Sequence, residues 1–235
     1  MGEVERFKEK LKQTKIYPPV DHMPYLPNLS CPHDEMYEKS AATLQAEVDR
    51  CVQLEIPYLV AHLGSHLGAG REVGLKRISN ALNLAVKRAK GDFQICLENM
   101  AGTKNSMGSK FEEVKEIFDS VKRRERVGIC FDTCHAYAAG YDLHVEKAVE
   151  KTMATFDEIV GLENIKVVHL NDSENGLGSG LDRHEHIGMG YIGTSGFKAL
   201  LHHKAVRDLP LILETPIDER RDHVGDIEVV RRLGK

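Results

Sequence analysis

The chain has 235 residues, enough for one substantial domain and too few for two with separate cores. Hydrophobic residues make up 41% and charged residues 29%, the profile of a globular protein, and no apolar run is long enough to cross a bilayer. A net charge of −4 argues against a strongly basic nucleic-acid binder, and five cysteines with neither a Cys-x-x-Cys pair nor a secretory leader exclude a zinc finger and suggest reduced, intracellular thiols.

In chain order, Val4, Phe7 and Leu11 predict a short helix with one apolar face. A first strand follows at Ile16–His22. Leu44, Val48, Cys51 and Leu54 recur at helical spacing, and Ile56–Leu63 reads as the second strand. Residues 75–89 read as a helix and Phe93–Glu98 as the third strand. Val114, Ile117, Phe118 and Val121 predict a helix that Ser109-Lys110-Phe111-Glu112 would open as a capping box. Val127–Asp132 is the fourth strand, residues 145–160 a helix, Ile165–Asn171 the fifth strand and Leu209–Glu214 the sixth. Short apolar runs alternating with helices predict an α/β fold whose parallel strands are buried on both faces. A closed eight-stranded barrel needs about 250 residues, so six strands describe an incomplete one.

The strand ends carry the chemistry. His22, His62, Glu98, Asp132, His169 and Glu214 stand at or near the carboxyl ends of the six runs; His135 follows the fourth, and Asp182 and His184 lie in the loop after the fifth. One histidine in such a place is ordinarily structural, but six strand ends in register form the catalytic face of a parallel barrel. Clustered carboxylates need a cation, and imidazole with carboxylate and no thiolate suits catalytic zinc, with manganese as an alternative at one position. Nine candidate ligands exceed one ion and fit three, an arrangement suited to phosphate-ester hydrolysis. Four of the nine are carboxylates, so bound cations would reverse the local charge and weaken the objection from net charge.

The segments HLGSHLG (62–68), LENMAG (97–102), GICFDTCHAYAAGYDL (128–143), VVHLNDSENGLGSGLDRHEHIGMG (167–190) and LILETP (211–216) resemble the signature blocks of the endonuclease IV family, and the resemblance runs through essentially the whole chain. It implies one TIM-type barrel domain over residues 1–235 and a DNA-repair hydrolase that cuts the phosphodiester bond 5′ to an abasic site in double-stranded DNA. It implies three zinc ions: one held by His22, His62 and Glu98, a second by Glu98, Asp132, His169 and Glu214, and a third by His135, Asp182 and His184, with Glu98 and Glu214 as the catalytic carboxylates. Tyr25 and Leu26 match a loop that probes the minor groove, an aromatic–aliphatic pair suited to a gap in the base stack; the bland alternative is packing on the barrel mouth. A monomer is expected, with no membrane association, in the cytoplasm of a prokaryote or the nucleus or mitochondrion of a eukaryote.

The chain also departs from the pattern. The family's first two strands have no counterpart, residues 1–15 read as the helix after them, and a truncated form is expected. Leu63 stands where proline is usual, Thr103-Lys104-Asn105 replaces a Gly-Gln-Gly-like stretch, and Gly180 stands where arginine is expected. His66 and His186 are open between supporting the site and a structural place, while His33, His144, His202, His203 and His223 are expected at the surface. Lys122–Arg126 reads as a solvated helix end rather than a DNA patch. Two other readings stay open: a truncated isoform that binds metal or DNA without cutting, and a TIM-barrel sugar isomerase, which would need only two ions.

Overall fold

The computed structural model describes residues 2–14, 16–89 and 91–235. One parallel sheet runs in chain order through β1 (Val20–His22), β2 (Tyr58–Ala61), β3 (Gln94–Glu98), β4 (Val127–Asp132), β5 (Ile165–His169) and β8 (Leu211–Ile212). Two short strands, β6 (Asp172–Ser173) and β7 (His184–Glu185), form a separate antiparallel pair in the loop between β5 and β8. The helices are α1 (Glu3–Thr14), α2 (Asp34–Leu54), α3 (Arg71–Arg88), α4 (Phe111–Asp119), α5 (Thr133–Ala138), α6 (Glu146–Ile159), α7 (Gly193–His202) and α8 (His223–Leu233). The architecture is a TIM-type barrel of six parallel strands in which β1 and β8 are edges, each bonded to one neighbour.

Side-chain alternation divides the core in two. Ile95 and Leu97 of β3, and Ile129 and Phe131 of β4, face the helices and join Leu44, Val48, Leu82, Phe111, Phe156 and Phe197. The intervening residues face the barrel interior, where Val60, Cys96, Cys130 and Val167 form a second cluster flanked by Val20 and Ile212. Two residues onward from these six come His22, His62, Glu98, Asp132, His169 and Glu214. Because strand side chains repeat every two residues, the apolar layer and the polar layer above it share one inward face.

The elements differ from the sequence expectation where local chemistry intervenes. β1 begins at Val20 rather than Ile16, since Pro18 and Pro19 have no N–H to donate to a ladder. Ser109 does not cap α4: Lys110 is the N-cap with no side-chain bond, and it is Glu113 that accepts the Gly108 N–H and pairs with Arg71 at 2.9 Å. The basic run does not end α4. It follows α4, closes on a single 3-10 turn at Arg124–Arg126 and leads into β4, at the sheet end opposite the inward polar layer. Arg123 there donates to the Val86 carbonyl (3.0 Å), and the Arg126 guanidinium lies 5.6 Å from the Phe93 ring. The helices α5, α7 and α8 were not legible as periodic patterns; α5 has six residues, and α7 opens on Gly193 and carries Gly196. His203 is buried rather than at the surface. Among the described residues, no helix is long and apolar enough to cross a membrane.

Candidate metal centre

The inward polar layer brings six of the nine candidate ligands to the carboxyl ends of the strands. The other three come from two further elements. Asp132 accepts the His135 N–H (2.6 Å) as the N-cap of α5, which turns His135 back over the site. The β6–β7 pair, registered Ser173 to His184, presents Asp182 and His184 opposite His135.

Glu98 lies at the centre, 0% exposed. Its Oε2 is 3.3 Å from Nε2 of His22 and 3.2 Å from Nε2 of His62, and its Oε1 is 3.1 Å from Nδ1 of His169. His169 Nδ1 is also 3.1 Å from Glu214 Oε2 and 3.8 Å from Asp132 Oδ2. Asp182 Oδ1 is 3.1 Å from His135 Nε2 and 3.3 Å from His184 Nε2. Donor atoms of Glu98, Asp132, His169 and Glu214 all fall within 4.8 Å of one another, as do those of His135, Asp182 and His184, and those of His22, Glu98 and His169. Eight of the nine candidates fall in these groups; His62 is in none of them and joins the cluster only through its approach to Glu98, so the structure sets His169 rather than His62 beside His22 and Glu98.

The donors suit a cation. Nε2 of His135 and Nε2 of His184 are buried without a hydrogen-bond partner, although Asp182 is near both. Such atoms are close but misaligned for sharing a proton. The other ring nitrogens are engaged: Nδ1–H of His22 donates to the Met23 carbonyl (2.7 Å), that of His135 to Asn99 (2.9 Å) and that of His184 to Glu214 (3.1 Å). Each bond assigns the tautomer and turns the Nε2 lone pair to the site.

Electrostatics agree with this geometry. Burial alone would raise the Glu98 carboxyl, but the imidazoles of His169, His135 and His22 hold it well below the usual range. Burial opposes protonation of His135, yet Asp132, Asp182 and Glu98 push it well above its ordinary value. His184, half-buried, is pushed up to about 9 by Asp182 and Asp132. Four carboxylates, of which Glu98 and Asp132 are fully buried, demand positive charge, which the imidazoles supply as protons and divalent cations would supply in their place. Cys134 lies within reach of Asp132 and His184, but burial and then Asp132 push its thiol up to about 12, and it donates to the Arg183 carbonyl instead.

A cavity of about 320 Å³ opens over the cluster, lined by His22, Tyr25, His62, His135, Asp182, His184 and Glu214. Tyr25 is 77% exposed on the loop after β1, with its ring edge-on to that of His62 and the centroids 5.8 Å apart, and Leu26 beside it is 90% exposed. His66 and His186 both make bonds within the fold. His66 Nδ1 accepts the N–H groups of Gly68 and Gly70 (both 3.2 Å), and buried His186 bridges Asp226 (2.7 Å) and Asp218 (3.2 Å). Gly180 sits at φ +66°, where an added Cβ would come 3.2 Å from the Gly102 carbonyl oxygen, so the loop conformation suits glycine rather than a long side chain.

Two buried residues that the sequence reading passed over hold the ligands. Asn99 donates to the Asp132 carbonyl (3.0 Å) and accepts the Asp132 N–H (2.8 Å). Asn171 donates to Asp132 Oδ2 (2.8 Å) and accepts the Glu214 N–H (2.8 Å). The available signal was their position, one after Glu98 and two after His169.

The model of the xylose isomerase-like TIM barrel family matches residues 2–233. A relative from Methanoculleus marisnigri named probable endonuclease 4 is 53% identical over 228 residues, 97% of this chain and 81% of the relative. Another with the same name, from Nitrosopumilus maritimus, is 50% identical over 232 residues, 98% of this chain and 82% of its own. The crystal structure of endonuclease IV from Thermus thermophilus superposes with a TM-score of 0.84 at 35% identity, covering 98% of this chain and 81% of that one.

Proposed function

This chain belongs to the endonuclease IV family within the xylose isomerase-like TIM barrels, and from that premise we propose that it is a DNA-repair nuclease that hydrolyses the phosphodiester bond 5′ to an abasic site at a centre of three zinc ions. The observation that carries this reading is the convergence of eight imidazole and carboxylate residues, with His62 beside Glu98 and with Nε2 of His135 and of His184 buried and unpartnered. His22, His62 and Glu98 would hold one ion; Glu98, Asp132, His169 and Glu214 a second; His135, Asp182 and His184 a third. Manganese is an alternative at one of them. Ions bound there would supply Lewis acidity and a water of lowered pKa for phosphate-ester hydrolysis.

The protein's own groups supply the rest. Glu98 and Glu214 would serve as the catalytic carboxylates, Glu98 contributing to both the first and the second ion position. Exposed Tyr25 borders the cavity and exposed Leu26 follows it in the same loop, where they would enter the stack beside the missing base. Residues 1–235 act as a single domain in this reading. The His135, Asp182 and His184 group weighs against a sugar isomerase, which needs two ions.

The test is incision of a labelled duplex carrying one abasic-site analogue, with His169→Ala as control. Zinc-dependent cutting 5′ to the lesion, lost in the variant, supports the proposal. A folded, zinc-loaded protein that binds the duplex without cutting it would favour the reading in which this chain holds metal and DNA but has no nuclease activity.

A further inference from the structure

The parallel ladders stop at or before the ligands. Glu214 is the extreme case, two residues past β8, an edge strand paired with β5 only through Leu211 and Ile212. No strand partner reaches its backbone. Side chains do so instead: its N–H donates to Oδ1 of Asn171 (2.8 Å), and its carbonyl accepts Nδ1–H of His184 (3.1 Å). The same Asn171 amide donates through Nδ2 to Asp132 Oδ2 (2.8 Å) and Glu214 Oε2 (3.3 Å). Asn171 is itself fully buried and locked. Its N–H donates to the Thr133 hydroxyl (2.9 Å), which in turn donates to its carbonyl (2.7 Å).

One amide therefore stands in for the missing rung between β5 and β8 and occupies one oxygen of each of two carboxylates. A hydrogen bond on one side of a carboxylate fixes where its remaining lone pairs point. Asn99 provides the contrast, clamping the Asp132 backbone while donating to neither carboxylate. We propose that Asn171 is a positioning residue that aligns Asp132 and Glu214 toward a divalent cation shared with Glu98 and His169, an inference resting on the reading of those four as ligands.

The experiment is a zinc titration of the metal-stripped protein against a chromophoric chelator, with apo-protein melting followed by circular dichroism. Asn171→Ala is expected to weaken one zinc position about 10- to 100-fold and leave the others as in the wild type. Thr133→Val, which frees the Asn171 backbone without changing side-chain volume much, is expected to weaken the same position several-fold, and it decides the matter if Asn171→Ala does not fold. Wild-type isotherms from folded variants would overturn the proposal. So would equal weakening of every position together with a lower apo melting temperature, the mark of a purely structural residue. A wild-type protein that takes up no zinc would overturn the ligand reading itself, and this inference with it.

Discussion

The two ends of the sheet hold cavities of opposite character. At the amino ends, Tyr17, Pro18, Tyr58, Lys166, Lys204 and Pro210 border a space of about 780 Å³ beside the segments leading into the edge strands β1 and β8. At the carboxyl ends the space is about 320 Å³, yet its lining includes four histidines, an aspartate and a glutamate. Among the described residues, the groups able to hold an ion gather at the second end. Volume alone would point to the amino end. Desolvated donors converging without partners of their own are the better guide, because such an arrangement is costly unless something occupies it.

The sharpest way to break this comparison is Glu98→Gln, which keeps the shape and removes the charge at the centre of the cluster. Incision is expected to fall about 10³-fold or more, since ion-based stabilisation of phosphate transfer is worth several kcal/mol. Lys204→Ala, at the larger cavity, should leave incision within about twofold. Equal losses from both substitutions would mean that the carboxyl end has no special role.

Metal and pH sharpen the contrast further. Each zinc ion at about 100 times its dissociation constant should stabilise the fold by about 2.7 kcal/mol, raising Tm by roughly 5–10 °C per ion for a domain of this size. In zinc-free protein the His184 value, raised against burial by Asp182 and Asp132 to about 9, lies above the ordinary ~6.5. Its contribution to stability is complete below about pH 6.5 and is lost as pH rises through about 9. Melting of the zinc-free protein should therefore weaken across that window, while the zinc-loaded protein, its imidazoles holding cations in place of protons, should stay level. Calorimetry at several pH values checks both trends, and parallel curves would count against the cluster as a cation site.

The smallest expected effect concerns the rim. Tyr25→Ala and Leu26→Ala remove exposed side chains, so Tm should move by no more than about 1–2 °C. Affinity for an abasic duplex should nonetheless drop about tenfold for Tyr25→Ala, the scale of one lost stacking contact. Fluorescence anisotropy reads this directly, and unchanged affinity would return both residues to mere surface.

By itself the sequence determined the strand layer and its chemistry. Val20 and His22, Val60 and His62, Cys96 and Glu98, Cys130 and Asp132, Val167 and His169, and Ile212 and Glu214 are spaced by two, so a strand conformation alone puts each ligand on the face of its apolar partner. Local pattern was enough there because strand geometry is local. The third group was nameable only through family resemblance, since no local rule brings Asp182 and His184 to His135 across some 50 residues of chain. The clamps by Asn99 and Asn171, the structural places of His186 and His203, and the Glu113 substitute for a Ser109 cap were decided by tertiary structure. The asparagine clamps depend on which backbone groups the ladders leave unpaired, and every one of these contacts is settled only when distant segments meet.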